Sequence, residues 1–270
     1  MIKLQFPLAE NSIRQIATRY PEYLETCIDI GVQNQSEFLI AALPSSHHVL
    51  VEPAKEYYPF IEKNYKNIQY TLLKAAASDV SGTLQLISIS NRRDGKVTHT
   101  QISATMTEDE FHKLQLEDPA YYIDLEPIAA MSLDEITEKA KVKPYRYGVK
   151  IDVDGLEARI IRASEYSIQN ASCLIVESTT GVRYKSDRDI GDMIDLASSK
   201  GMRLIDIVSP CYYNGKLAQV DLIFLNSNIF EQYMERDKFD SDLWQSDKVI
   251  KEIIEKADSS EAGSEKDSDI

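Results

Sequence analysis

A chain of 270 residues, 43% hydrophobic and 27% charged, can bury a substantial core as one large domain or two small ones. Its formal net charge is -14, and the sixteen C-terminal residues hold only -4 of it, so the body of the chain is acidic as well. A groove that tracks a phosphate backbone needs a basic surface, and no nucleic-acid partner is expected.

Three cysteines, Cys27, Cys173 and Cys211, lie far apart in apolar stretches without C-x-x-C spacing, and read as core thiols of a reducing compartment. No stretch approaches the roughly 20 apolar residues of a spanning helix, and the N-terminus lacks the apolar run of a signal peptide. The expectation is a cytoplasmic protein with no transmembrane segment.

Residues 1–24 are expected to form an N-terminal helical segment. CIDIG, residues 27–31, is a short apolar run broken by Gly31, and VQNQSEFLIAAL follows with helical spacing at Phe38, Leu39 and Ala42. Asn34 and Glu37 resemble a capping box, and Pro44 stops the helix. HHVLVEP, residues 47–53, predicts a second strand ending at Glu52, EYYPFIEKNYK a second helix, and IQYTLLKAAASD, residues 68–79, a third strand.

GTLQLISIS alternates as a strand does, whereas residues 91–120 carry no sustained period and read as an insertion or lid. After YYIDLEPIA and a short helix over SLDEITEKAK comes YGVKIDV, residues 147–153, a fourth central strand. LEARIIRASEY predicts a helix, SCLIVES a strand and IGDMIDLASSKG a helix. MRLIDIVSP and AQVDLIFLN are separated by a connection too short for a parallel crossover, so the final strand is expected to be antiparallel. The fold class is α/β: a Rossmann-like, mostly parallel seven-stranded sheet with an antiparallel last strand and helices on both faces. The domain spans residues 25–235, followed by a C-terminal helix at 236–257 and a disordered acidic tail at 258–270.

Open α/β sheets bind ligands beyond the carboxyl ends of their strands. Glu52, Asp79, Asp152 and Glu177 all fall at such ends, so several acids converge on one crevice. Burying them together is costly without a donor-rich ligand, a cation or hydrogen bonds. Asp154 and Glu157 suit the start of the next helix, where carboxylates meet free N–H groups, and Glu157 could instead pair with Lys150 or an arginine.

The ordered series CIDIG, Glu52-Pro53, AAASDVSGTLQL, MSLDEI, KIDVDGLE and LIVE resembles the FkbM-type S-adenosylmethionine-dependent methyltransferases over about residues 25–225. The resemblance implies a class I methyltransferase fold with S-adenosylmethionine as cofactor. It places Asp29, Gly31 and Gln33 in the turn around the methionine moiety, Glu52 on the ribose hydroxyls, and Ser78 and Asp79 at the adenine. The family pattern in that turn resembles D-x-G-A-N-x-G. This chain keeps its first glycine as Gly31, has Gln33 for the asparagine and puts Gln35 at the second glycine.

Relatives are associated with O-methylation of sugars or glycosylated products, which implies a small-molecule or glycan acceptor. In-line transfer to a hydroxyl asks for positioning and a proton acceptor. The candidates for that chemistry are Asp152, Glu177 and His99. Arg92 and Arg93, with Arg183, Lys185 and Arg188, lie in segments on the expected ligand side and suit an anionic acceptor. Two alternatives stay open: a non-catalytic module that keeps the fold, and a methyltransferase dependent on a divalent cation held by Asp152 with nearby acids. The apolar face of the C-terminal helix suits docking onto the domain or onto a second subunit in a homodimer.

Overall fold

A computed structural model describes residues 9–91, 97–102, 121–153, 155–180 and 189–236. The chain divides into two compact units at Ser227/Asn228. The first contains the sheet and its helices. The described part of the second belongs to helix α8, Ser227–Arg236.

The first unit opens with helix α1 (Ala9–Arg19) and a 3-10 turn at Pro21–Leu24, then β1 (Thr26–Ile30), α2 (Glu37–Ala42), β2 (His47–Val51), α3 (Tyr58–Asn64) and β3 (Tyr70–Leu73). Next come β4 (Ala76–Ala77), β5 (Gly82–Asn91), β6 (Val97–Ile102) and β7 (Tyr121–Met131). The chain returns through α4 (Leu133–Ala140), β8 (Tyr147–Ile151), α5 (Glu157–Ala163), α6 (Glu165–Asn170), β9 (Cys173–Thr179), α7 (Ile190–Ser199), β10 (Met202–Tyr213) and β11 (Lys216–Asn226).

Seven strands form the main sheet in the order β3-β2-β1-β8-β9-β11-β10. The pairs from β3 to β9 are parallel, and β11 is antiparallel to both its neighbours. β1, β2, β8 and β9 are covered on both faces, which is why they read as nearly continuous apolar runs. One core joins Ile28, Val49, Val149 and Leu174 to Ile136, Ile160 and Leu196. On the opposite face Leu50 packs with Ile61, Tyr65 and Val32. The β10–β11 hairpin closes through Asn214 and Gly215 at φ 50° and 75°, the signs of a type I′ turn.

Several local expectations are corrected. The run 68–79 is two strands, because Ala75 N turns back to Leu73 O at 3.0 Å and β4 leaves the main sheet. β4, β7, β5 and β6 build a second, four-stranded sheet in that order. The segment after β3 is therefore a sheet of its own, of which residues 92–96 and 103–120 lie outside the described residues. Helix α2 starts at Glu37 with Ser36 at its N-cap position and no side-chain cap bond, so Asn34 and Glu37 form no capping box. Cys27 and Cys173 are buried, whereas Cys211, on the outer strand β10, is exposed. The expected helix at 236–257 and acidic tail fall outside the described residues, apart from Arg236 at the end of α8.

Candidate active site

β1 lies between β2 and β8, so the chain leaves β1 toward one side of the sheet and returns to the other through β8. Connections that part in this way open a crevice at the carboxyl ends of the two central strands. Gly31 ends β1 with φ +82°, and a Cβ on it would lie 1.8 Å from the Asp152 carbonyl oxygen. Only glycine allows the turns after β1 and β8 to approach so closely.

Two residues on, Gln33 also adopts positive φ (50°), and its N–H donates to Glu52 Oε2 at 2.8 Å. The Ala54 N–H donates to Glu52 Oε1, also at 2.8 Å. Glu52 is 2% exposed. Burial pushes its carboxyl pKa up to about 7, with the neighbouring acids Asp29 and Glu56 adding to the rise and the two amides opposing it.

Asp29 is fully buried on β1 opposite Lys150 of β8. Lys150 Nζ lies 3.6 Å from Asp29 Oδ1 and 2.9 Å from Asp152 Oδ2. Burial works against the Lys150 ammonium, but Asp29 and Asp152, helped by Asp221, hold its pKa above the ordinary lysine range. Tyr65 OH donates to Asp29 Oδ2 at 3.4 Å and accepts from Ser36 N at 3.2 Å.

Ser78 is buried, and its hydroxyl donates to Asp79 Oδ1 at 3.0 Å. Arg159 of α5 grips the same carboxylate, with Nη2 at 2.8 Å and Nε at 3.2 Å from Oδ2 and Nη2 at 3.1 Å from Oδ1. Burial raises the Asp79 pKa, but the hydrogen bonds from Arg159 and Ser78 outweigh it and hold it below the usual aspartate range.

Glu157 turns back over its own helix start. It accepts from Val153 N at 3.0 Å and from Gly155 N at 3.0 and 3.2 Å, so it serves the loop amides and makes no ion pair with Lys150. Glu177 stands on β9 directly opposite Asp221 of β11 and accepts a hydrogen bond from Gln219 Nε2. His99 lies within β6, opposite Ile89, in the second sheet and not in an irregular segment. Asp154, Arg92, Arg93, Arg183, Lys185 and Arg188 lie outside the described residues.

The structure thus brings Asp29, Gly31, Gln33, Glu52 and Asp152 together around the two central turns, pairs Ser78 with Asp79, and sets Glu177 on the next strand. Sequence reasoning missed Lys150, Arg159, Tyr65 and Asp221. Strand alternation was the available signal for Lys150, because it puts residues 150 and 152 on one side of β8. Among the described residues, no group of three or more His, Cys, Asp or Glu is arranged to hold a metal ion, and no helix is long and apolar enough to cross a membrane.

Residues 29–204 match the model of the methyltransferase FkbM domain, which spans more than half the chain. The chain belongs to the FkbM methyltransferase family.

The strand order, with its antiparallel β11, is that of a Rossmann-like class I methyltransferase, and S-adenosylmethionine is the cofactor of the FkbM family. Solved structures similar to this chain include magnesium protoporphyrin IX methyltransferase from Synechocystis PCC 6803 with bound S-adenosylmethionine. It is 9% identical, with 81% of this chain and 78% of that one covered at a TM-score of 0.42. The Methanococcus jannaschii fibrillarin pre-rRNA processing protein is 7% identical, covering 76% of this chain and 69% of that one at a TM-score of 0.42. Precorrin-6y C5,15-methyltransferase from Geobacter metallireducens GS-15 is 11% identical, covering 84% and 97% at a TM-score of 0.39. No curated protein matches the chain.

The residues present fit the cofactor. Each Glu52 oxygen accepts one backbone N–H, and a carboxylate has about four acceptor positions, so two remain for the vicinal hydroxyls of a ribose. Gln35, at the position of the family's second glycine, donates from Nε2 to Glu37 Oε1 at 2.5 Å, which anchors its side chain to the first turn of α2.

Proposed function

We propose that this FkbM-family protein methylates a hydroxyl group of a sugar or glycoconjugate. Asp29, Gly31, Gln33 and Glu52 hold the methionine and ribose parts of S-adenosylmethionine, and Ser78 and Asp79 border the adenine. When bound, the cofactor supplies an electrophilic methyl group on a sulfonium. The Asp152 carboxylate would accept the proton of the acceptor hydroxyl and pass it on to water. Glu177, tethered by Gln219, accepts from a neighbouring acceptor hydroxyl, because a polyhydroxylated ring offers more donors than the single reacting one.

The observation that supports this reading is Asp152 itself. Its side chain is 34% exposed at the end of β8, while Lys150, 7% exposed, fixes one of its oxygens from below. A carboxylate that is anchored yet open to the crevice suits a proton acceptor. Free thiols at Cys27 and Cys173 suit a cytoplasmic location, which is part of the same reading.

The test is calorimetric binding of S-adenosylmethionine and S-adenosylhomocysteine with Glu52→Ala as control, followed by an acceptor screen among sugar nucleotides and oligosaccharides. Binding lost in Glu52→Ala, with transfer to a hydroxyl lost in Asp152→Asn and kept in His99→Ala, supports the proposal. A folded protein that binds neither ligand points to the non-catalytic module.

A further inference from the structure

We propose that Lys150 is a positioning residue of this site, its buried ammonium fixing the Asp152 carboxylate at the crevice while tying the end of β1 to the end of β8. The inference rests on the reading of Asp152 as the proton acceptor and adds the group through which Asp152 is held.

The placement follows from the strands. β1 and β8 are parallel neighbours with Asp29 opposite Lys150, and the period of two puts Asp152 on the same side of β8 as Lys150. The three side chains descend from partly open to sealed, at 34% exposed for Asp152, 7% for Lys150 and 0% for Asp29. Lys150 donates to Asp152 Oδ2 at 2.9 Å and faces Asp29 Oδ1 at 3.6 Å. Asp29 Oδ1 is buried and has no hydrogen-bond partner, so the ammonium is the charge that compensates it.

Stability alone is a weak reason for such a group, since a buried ion pair seldom outperforms well-packed apolar side chains. The location explains it better. A mobile aspartate at the lip of the crevice would lose the orientation that proton transfer needs, and a rigid cation beneath it supplies that orientation. Lys150 occupies one Asp152 oxygen and leaves the other for a hydroxyl. The charged and titratable groups around this ammonium are Asp29 and Cys27 on β1, Asp152 beyond β8 and Asp221 on β11, with Tyr65 reaching Asp29 from the far side.

The test is carbon-detected NMR of the full chain with 13C-labelled aspartate carboxyls, the Asp152 resonance being assigned by its loss in Asp152→Asn. In Lys150→Met the Asp152 carboxyl resonance at neutral pH is expected to broaden and shift as the side chain loses its fixed orientation, and Lys150→Arg is expected to restore most of the wild-type signal. Should Lys150→Met fail to fold because Asp29 is left uncompensated, Lys150→Met/Asp29→Asn removes both buried charges and carries the same measurement. A resonance unchanged in position and width in the methionine variant that folds overturns the proposal. A resonance that changes while Asp152→Asn retains methyl transfer upholds the positioning by Lys150 and removes only the assignment of Asp152 as proton acceptor.

Discussion

The Gln33 amide donates to Glu52 at 2.8 Å, joining the turn after β1 to the end of β2. A backbone N–H held at positive φ and a carboxylate sealed from water thus define one wall of the crevice before any ligand arrives. The cost of that arrangement is an acid whose ionised form is disfavoured by burial.

If Glu52 takes the ribose hydroxyls as proposed, that cost makes cofactor binding depend on pH. The Glu52 pKa is raised in the folded protein to about 7. Between the ordinary glutamate value of about 4.3 and 7 the folded state holds the extra proton, so stability falls as pH rises through this window and is level above it. Hydroxyl donors favour the carboxylate, so affinity for S-adenosylhomocysteine is expected to rise up to about pH 7, with a proton released on binding below that pH. Calorimetry in two buffers of different ionisation enthalpy measures the release. Glu52→Gln is expected to abolish it and to weaken binding by at least tenfold.

Gly31→Ala tests the close approach of the two turns. The positive φ alone costs about 1 to 3 kcal/mol for a residue with a side chain, and the added Cβ would sit 1.8 Å from the Asp152 carbonyl oxygen. Asp152 must then move with its backbone. The expected result is a urea midpoint shifted down with unchanged m-value, together with loss of S-adenosylhomocysteine binding. An alanine variant with wild-type affinity would show that the turns are not held as described.

How much of this was legible in the sequence depends on the range of the interaction. β1, β2, β8 and β9 were visible because strands buried on both faces carry their own apolar signature, and the antiparallel end was visible because the connection between β10 and β11 is too short for a parallel crossover. The second sheet was not, because β4 meets β7 through Ala76 and Ala130, and no local period reports a pairing over that span. At the site, Gly31, Glu52 and Asp152 could be read from their places at strand ends. Arg159 could not, since its partner Asp79 lies 80 positions away and only the packing of α5 brings them together.

The Arg159–Asp79 pair offers a measurable coupling. The side chains are 35% and 24% exposed, so solvent screening limits the pair to about 1 kcal/mol despite its two-pronged geometry. A double-mutant cycle with Arg159→Ala and Asp79→Ala isolates that coupling from the other contacts of either residue. Because the folded-state pKa of Asp79 is depressed, its contribution is full above the ordinary aspartate value and is lost as pH falls through the folded value. The coupling measured at pH 7 is therefore expected to vanish in strong acid. Arg159→Ala also frees acceptor positions on Asp79, and a change in S-adenosylhomocysteine affinity without a change in S-ribosylhomocysteine affinity would place Asp79 at the adenine.

Tyr65 lies behind the site and acts through hydrogen bonds alone when its ring is kept. Burial and the nearby Asp29 push its phenol pKa well above the usual tyrosine range, so the hydroxyl stays protonated and donates to Asp29 at every working pH. The same oxygen accepts from the Ser36 N–H at the start of α2. Tyr65→Phe preserves the ring packing against His48 and Tyr70 and strands the buried Ser36 N–H, a loss of about 1 to 3 kcal/mol. The expected outcome is lower stability in urea at an unchanged m-value, with faster amide exchange at Ser36. Exchange that stays slow at Ser36, with stability unchanged, would show that the phenol oxygen is not the partner that holds this amide.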